Sequence, residues 1–344
     1  MKNFNIGALR EAIGGLNLDG AKSLVERTLA QHGLSMPQSL QGLQGAFPAQ
    51  GAQAPAPAIP EGASFTADRF ACAAGSRDYM VYVPSTAARG VQGLVLMLHG
   101  CTQTHADFAR GTGMNDLAET HRLIIVYPQQ SRGDNAQSCW NWFSPGDQRR
   151  GRGEPEILAQ MAATLARAHG VPQDRIFAAG LSAGAAMAVI LGQTHPEVFA
   201  AIGAHSGLPF GAAKDVPGAF AAMSGAAVDP TPSRTTRATP AIVFHGSADH
   251  TVHPQNGQRI VADTLAAGPD QTLVDQARAR TGGRSHIRDI TTTLDGQVLT
   301  EHWLVDGLGH AWSGGRPGGS YTDPAGPDAS AEMLRFFLDQ PRRA

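Results

Sequence analysis

The sequence predicts an α/β fold with a mainly parallel central sheet and helices on both faces. Short apolar runs alternate with helical patterns along most of the chain, and one such run ends in a sharp Gly/Ser turn that leads directly into a helix. The runs at 93–98, 123–128 and 174–181 have the length and composition of buried parallel strands. Strands that alternate with helices imply parallel pairing, because each helix returns the chain to the same edge of the sheet.

Composition places the 344 residues among ordinary globular proteins. The hydrophobic content is 42%, and the length allows one large core. A formal net charge of −2 gives no electrostatic basis for binding nucleic acid or an anionic membrane. No run approaches the length of a membrane span, so none is expected. The first residues lack the apolar core of a secretory signal, so we expect a cytoplasmic protein unless a signal has been removed.

The first 64 residues differ from the rest of the chain. Residues 1–34 are predicted to be an N-terminal helical segment, with Asp19 as a helix N-cap. Residues 35–64 are rich in Pro, Ala and Gln and contain Glu61 as their only charge, so they are predicted to be a linker. The catalytic domain is expected to span residues 65–344.

The pattern of this domain predicts its elements in order. Strands are expected at 78–84, 93–98, 123–128, 174–181, 199–205 and 241–245, with two more between 285 and 305 joined at Asp295-Gly296. Helices are expected at 106–121, 154–169, 183–195 and 330–338, and an irregular insertion at 207–239. The polar loop at 129–152 is long enough to indicate a function.

The turn in the middle of the chain is the strongest chemical signal. Gly180-Leu181-Ser182-Ala183-Gly184 lies between a predicted strand and a predicted helix, which is the context of a G-x-S-x-G nucleophile elbow. The two glycines let strand and helix pass closely, and the helix N-terminus faces Ser182. A chance turn of small residues is the alternative, and the flanking strand and helix disfavour it. Ser182 is therefore the predicted nucleophile.

A serine nucleophile needs a base and an orienting acid, and here they should follow in the order Ser, acid, His. Asp249 comes just after the strand at 241–245 and a Gly turn, whereas Asp229 and Asp263 are rivals that follow no strand. His310 lies in a Gly-rich loop after the last strand, which suits a catalytic base. The remaining histidines considered lie in strands or beside the predicted acid: His245, His250, His253 and His302.

An oxyanion hole requires two backbone N–H groups directed at the developing alkoxide. Ala183, which follows the nucleophile, is expected to supply one of them. The other is expected from Cys101, in the loop after the strand at 93–98. The Cys101 thiol is not a rival nucleophile, because no His/Asn partner pattern accompanies it.

A set of motifs occurs in one order along the chain. They are Leu98-His99-Gly100-Cys101-Thr102-Gln103, Cys139-Trp140-Asn141-Trp142-Phe143, the elbow, His205-Ser206-Gly207, Gly309-His310-Ala311-Trp312-Ser313-Gly314-Gly315 and Ser320-Tyr321-Thr322-Asp323-Pro324. Together they resemble the poly(3-hydroxybutyrate) depolymerase family of esterases, relatives of feruloyl and acetylxylan esterases, from about residue 65 to the C-terminus. The resemblance implies an α/β-hydrolase fold, Ser182, Asp249 and His310 as the triad, and a disulfide between Cys101 and Cys139.

We therefore expect a serine carboxylesterase that acts on polyester or oligoester bonds, above all poly- or oligo(3-hydroxybutyrate), with no metal and no cofactor. Trp142 and Trp312 are expected to line the substrate cleft. Secreted depolymerases that this chain resembles carry a separate polymer-adsorbing domain, and no such domain follows His310, so attack on crystalline polymer is not expected. The implied disulfide also fits poorly with a reducing cytosol.

Two alternatives remain. A feruloyl/acetylxylan-type or aromatic polyester esterase would use the same chemistry on a different acyl group. A non-catalytic granule-binding protein would instead contact a granule surface through residues 1–34, and the intact triad pattern argues against it.

Overall fold

The computed structural model describes residues 59–226 and 238–342. Its main feature in these ranges is a ten-stranded sheet with the order β1-β2-β4-β3-β5-β6-β7-β10-β9-β8. The predicted helical segment at 1–34, most of the predicted linker and the rival acid Asp229 lie outside the described residues.

Ten strands form the main sheet, the first of which begins at Ser64, one residue before the predicted domain, and two short strands form a separate pair. The main strands are β1 Ser64–Cys72, β2 Gly75–Val83, β3 Gly93–Leu98, β4 Leu123–Pro128, β5 Ile176–Leu181, β6 Ala201–His205, β7 Ala241–Gly246, β8 Thr272–Thr281, β9 Arg284–Thr293 and β10 Val298–Val305; the small pair is β11 Trp312–Ser313 and β12 Thr322–Asp323. Strands β4, β3, β5, β6, β7 and β10 run parallel. The two strands at each flank pair antiparallel. The prediction of a mainly parallel central sheet is confirmed.

Helices cover both faces of the sheet, as predicted. They are α1 His105–Thr112, α2 Met114–His121, α3 Gly153–Ala168, α4 Ala183–Thr194, α5 Val216–Met223, α6 Gln255–Ala266 and α7 Ala329–Asp339. One apolar cluster joins α3, α4, α5 and α6 to one face, and a second joins α1, α2 and α7 to the other. Strand β3 contributes side chains to both clusters, because its alternate residues point to opposite faces of the sheet. No helix within the described ranges is long and apolar enough to cross a membrane.

The prediction of one helix over 106–121 is wrong. The segment forms two helices, α1 and α2, that meet at Gly113, which has a left-handed backbone conformation with φ of +61°. A side chain at this position would collide with the Arg316 side chain, which pairs with Asp116 in α2. The break therefore creates space for the segment that carries Arg316.

The predictions made on sequence lack β1, β8, α5, α6 and the small pair of β11 and β12. Strands β1 and β8 lie at the two edges of the sheet and are largely exposed, so neither has an apolar run. Strand β8 forms because all ten of its residues pair with β9 in a hairpin closed by Gly282-Gly283, a turn signal that the sequence predictions did not use. Helix α5 lies within the segment predicted as an irregular insertion, and α6 follows β7.

The elbow is a close approach of backbone to backbone. A Cβ atom added to Gly180 would lie 2.7 Å from the carbonyl oxygen of Leu98. A Cβ atom added to Gly184 would collide with that same oxygen. Backbone atoms of a central strand cannot move aside, so β3, β5 and α4 are packed as closely as glycine allows.

We predict that Gly184→Ala lowers the free energy of unfolding by about 3 kcal/mol, because the new methyl group has no space beside β3. Urea denaturation of both proteins measures this loss. Gly146→Ala is the matched control, since its Cβ would meet only the Ser144 hydroxyl, at 3.6 Å. Equal stability of the Gly184 variant and the control would contradict the packing argument.

Candidate active site

The three residues of the predicted triad follow three strands that end at one edge of the sheet. Ser182 comes directly after β5, Asp249 after β7 and His310 after β10. Strands β5, β6, β7 and β10 are adjacent and parallel, so their carboxyl ends lie side by side. The Ser182 N–H donates to the carbonyl oxygen of His205 at the end of β6, at 2.9 Å. This edge therefore carries every predicted catalytic side chain.

Asp249 and His310 form a direct hydrogen-bonded pair. His310 Nδ1 donates to Asp249 Oδ2 at 2.8 Å, and Asp249 Oδ1 accepts the N–H groups of Thr251 and Val252 at 3.0 and 2.9 Å. Burial alone would raise the pKa of Asp249, but the hydrogen bond and charge of His310, together with the Val252 N–H, lower it to about 2. The carboxylate is thus ionised at neutral pH and fixes the proton on Nδ1, which leaves His310 Nε2 able to accept one.

The rival acid Asp263 has a different environment. It lies within helix α6 rather than at the end of a strand. Burial raises the pKa of its carboxyl group.

Ser182 stands at the apex of a strained turn. Its backbone has φ of +57° and ψ of −120°, a combination that costs free energy in any residue other than glycine. The turn places the serine at the N-terminus of α4, where the helix dipole favours negative charge. Its hydroxyl forms no hydrogen bond with any residue of the described ranges. Such bonds in free enzymes often tighten only when substrate binds.

The predicted oxyanion donors lie on either side of this turn. Ala183 is the first residue of α4. The loop after β3 brings Gly100 close to the elbow, so that a Cβ atom added to Gly100 would lie 3.6 Å from the Cβ of Ser182. The Thr102 N–H donates to Gln137 O at 2.8 Å. The amides of Cys101 and Ala183, by contrast, donate to no other residue in the part of the chain described here. Two free N–H groups therefore flank Ser182.

A disulfide joins Cys101 to Cys139, with their Cα atoms 4.3 Å apart. The pairing implied by the family resemblance is present in the structure. The disulfide links the loop after β3, which contains the predicted oxyanion donor Cys101, to the long polar loop at 129–152.

Two buried polar side chains stabilise the loop after β3 through hydrogen bonds. His99 Nδ1 donates to Gly100 O at 2.8 Å, and its Nε2 accepts the Gln130 N–H at 3.1 Å. Burial lowers the pKa of His99 to about 4, so the ring is neutral at pH 7. Gln103 Oε1 accepts the Gly100 N–H at 2.9 Å, and its Nε2 donates to Ser320 O at 3.0 Å. Sequence reasoning assigned them no role, although both belong to the motif around Cys101.

His205 is a further residue that sequence reasoning left without a role. Its carbonyl oxygen accepts the Ser182 N–H, and its Nε2 accepts the N–H of Ser313, three residues after His310, at 3.0 Å. The ring is fully buried and stacks between Phe244 and Trp312, with centroids 5.7 and 5.2 Å away. Burial lowers its pKa to about 3, so it stays neutral. One residue thus contacts both the elbow and the loop of the predicted base.

The predicted role of Trp312 as a cleft wall is wrong. Trp312 is 1% exposed and donates its indole N–H to Ser330 Oγ at 3.0 Å. Its ring packs against His205 and Phe108, so no face is open to substrate. Trp142 is also buried, beside Phe143, and its contact with substrate stays a prediction.

Tyr321 is the aromatic residue that the structure places beside the predicted base. Its ring centroid lies 6.5 Å from that of His310, and its hydroxyl is 3.2 Å from Thr102 Oγ1. No group of three or more His, Cys, Asp or Glu side chains within the described ranges is arranged to hold a metal ion.

Known proteins share this arrangement of sequence and fold. The family model described as "Esterase PHB depolymerase" matches residues 77–288. Poly(3-hydroxyalkanoate) depolymerase C of Paucimonas lemoignei is 36% identical over 249 residues, which are 69% of this chain and 58% of that protein. Acetylxylan esterase A of Aspergillus oryzae is 28% identical over 194 residues, which are 51% of this chain and 62% of that protein. The chain thus spans about three fifths of the length of these relatives.

The solved acetyl xylan esterase from Aspergillus awamori superimposes with a TM-score of 0.56 at 22% identity. The superposition covers 76% of this chain and 94% of that one. A likeness at this identity concerns the fold, and the α/β-hydrolase fold is confirmed.

We predict that Asp249→Asn lowers kcat for p-nitrophenyl butyrate by about 10⁴-fold, because the amide keeps the shape but no longer stabilises the imidazolium. Steady-state kinetics measures this change. Asp263→Asn is the control and should retain kcat near that of the wild type. A crippled Asp263 variant beside an active Asp249 variant would mean that the acid is misassigned.

We also predict that His205→Phe lowers kcat about tenfold with little change in KM. Phenylalanine keeps the ring stack but leaves the buried Ser313 N–H without an acceptor, which costs about 1–3 kcal/mol. His205→Gln can still accept that hydrogen bond and should recover most of kcat. If both variants lose kcat to the same extent and melt at the same lowered temperature, His205 contributes only core packing.

Proposed function

The chain belongs to the esterase PHB depolymerase family, and on this premise we propose that it is a serine carboxylesterase that hydrolyses polyester or oligoester bonds. One observation carries the proposal: the Asp249–His310 hydrogen bond of 2.8 Å lies at the same sheet edge as the strained Ser182 turn. A carboxylate, an imidazole and a serine at a helix N-terminus are the parts that acyl transfer through a covalent intermediate requires.

In the proposed mechanism, Ser182 Oγ attacks the ester carbonyl carbon while His310 Nε2 takes the hydroxyl proton. The negative charge that develops on the carbonyl oxygen is stabilised by the N–H groups of Cys101 and Ala183. His310 then gives its proton to the leaving alkoxide, and the alcohol departs. A water molecule then attacks the acyl-enzyme while His310 Nε2 takes one of its protons. His310 gives this proton to Ser182 Oγ, which releases the acid and restores the serine.

Asp249 supports this cycle electrostatically. Its carboxylate is buried and accepts two backbone N–H groups besides His310, so it neither rotates nor takes up a proton at neutral pH. A fixed negative charge beside Nδ1 stabilises the imidazolium that forms when Ser182 is deprotonated. The proposed chemistry requires no metal or organic cofactor.

We propose poly- or oligo(3-hydroxybutyrate) as the substrate class. The name of the Paucimonas lemoignei relative, at 36% identity, supports a hydroxyalkanoate ester. A feruloyl/acetylxylan-type or aromatic polyester esterase is the second candidate, supported by the acetylxylan esterase of Aspergillus oryzae. A cytoplasmic location and contact of residues 1–34 with a polymer granule stay proposals from sequence alone.

We predict that Ser182→Ala abolishes hydrolysis of p-nitrophenyl butyrate and leaves the melting temperature within about 2 °C of the wild type, because removing this hydroxyl creates no cavity. Initial rates and a thermal melt measure both effects. Normal turnover by the variant would rule out Ser182 as the nucleophile.

A second assay, with the wild type, decides between the two substrate classes by comparing turnover of 3-hydroxybutyrate oligomers with turnover of methyl ferulate. Faster turnover of methyl ferulate would favour the feruloyl/acetylxylan-type esterase.

A further inference from the structure

His245 is a buried histidine that the proposed triad does not use. It lies on β7, four residues before Asp249, and no part of it is exposed. Burial lowers the pKa of His245 to about 4, so the ring is neutral at pH 7 and carries a single proton. A buried polar group costs free energy unless it is hydrogen-bonded, so the partner of this proton explains the ring.

The proton of His245 lies on Nε2. This nitrogen is 2.8 Å from the carbonyl oxygen of Val252, which can only accept a hydrogen bond, so the ring donates. Its Nδ1 has no hydrogen-bond partner among the described residues. A Cβ atom added to Gly257 in α6 would lie 2.8 Å from Nδ1, so the glycine leaves room for the ring. A leucine would pack here without a buried unpaired nitrogen, and the histidine is therefore explained by what its Nε2 does.

Val252 also holds the proposed catalytic acid. Its N–H donates to Asp249 Oδ1 at 2.9 Å, which closes a turn from Asp249 to Val252. Just before this turn, the N–H of Ala248 donates to Leu308 O at 3.1 Å, in the segment that leads to the proposed base. At the end of the turn, His245 is the side chain that donates to Val252 O.

The peptide group that follows Val252 is held at both of its polar atoms. Its carbonyl oxygen accepts from His245, and its N–H, which belongs to His253, donates to Met223 O at 2.8 Å. Loss of the His245 donor would leave a buried carbonyl group unpaired and release one of these two contacts. The Val252 N–H that holds the Asp249 carboxylate would then be free to shift.

His245 also lies close to the carboxylate itself. Its Nε2 is 3.7 Å from Asp249 Oδ2, the oxygen that accepts the hydrogen bond of His310. This distance is too long for a hydrogen bond, but an N–H group beside a carboxylate favours the ionised form.

We propose that His245 is a positioning residue for the acid: it fixes the turn that holds Asp249, so that the carboxylate keeps its hydrogen bond to His310 during the reaction. This inference rests on the proposed esterase mechanism and adds the group that holds its acid in place. It gives a role to a histidine that the order Ser, acid, His leaves unused.

The test compares His245→Leu, which removes the donor, with His245→Gln, whose amide N–H can still reach Val252 O. His245→Leu should lower kcat for p-nitrophenyl butyrate about tenfold with little change in KM, as expected when one hydrogen bond that supports the transition state is lost. His245→Gln should recover most of kcat. Should His245→Leu fail to fold, His245→Asn replaces it, because the asparagine amide is one carbon shorter and does not reach Val252 O.

Proton NMR supplies a readout that core packing alone would not move. The low-field signal of the His310 Nδ1–H, assigned by comparison with Asp249→Asn, reports the hydrogen bond to Asp249. We expect this signal to weaken or shift in His245→Leu and to persist in His245→Gln.

His302→Leu is the matched control, because His302 is also a buried histidine beside Gly257 and its Nε2 has no hydrogen-bond partner within the described ranges. It should keep the wild-type kcat and the NMR signal. Wild-type kcat in His245→Leu, equal losses in His245→Leu and His245→Gln, or equal losses in His245→Leu and His302→Leu would overturn the positioning role alone. Full activity of both Ser182→Ala and Asp249→Asn would overturn the proposed mechanism, and this inference with it.

Discussion

The close contact between the elbow and strand β3 is the constraint on which the rest of the site depends. Glycine at positions 180 and 184 allows α4 to start directly over the carbonyl groups at the end of β3. The same contact holds Ser182 in its strained conformation and brings the loop after β3 within reach of it. One backbone contact thus positions both the proposed nucleophile and the proposed oxyanion donors, and a single methyl group would disrupt it.

Buried neutral histidines stabilise the loops that this contact brings together. His99 and His205 each use both ring nitrogens in hydrogen bonds, and burial lowers the pKa of both well below neutrality. A protonated ring would lose the acceptor that each loop requires. The fold therefore keeps both of these histidines uncharged.

Glu154, at the start of α3, stabilises the long polar loop at 129–152 through hydrogen bonds. Its carboxyl group accepts the backbone N–H of Asn141 at 2.8 Å, and it contacts Gln130 and Arg77. Burial raises the pKa of this group to about 7, against the opposing effect of its hydrogen bonds. Together with the Cys101–Cys139 disulfide, Glu154 links the polar loop to the loop after β3 and to strand β2.

The sequence by itself determined the α/β class, the central parallel strands and the elbow, because those features depend on local apolar runs and on glycines at fixed spacing. It also gave the order of Ser182, Asp249 and His310, since parallel strands bring their carboxyl ends to one edge. The break at Gly113, the role of His205 and the burial of Trp312 were decided by tertiary structure alone. Each of these depends on a partner distant in the chain, namely Arg316, Ser313 and Ser330, and no local pattern encodes that contact.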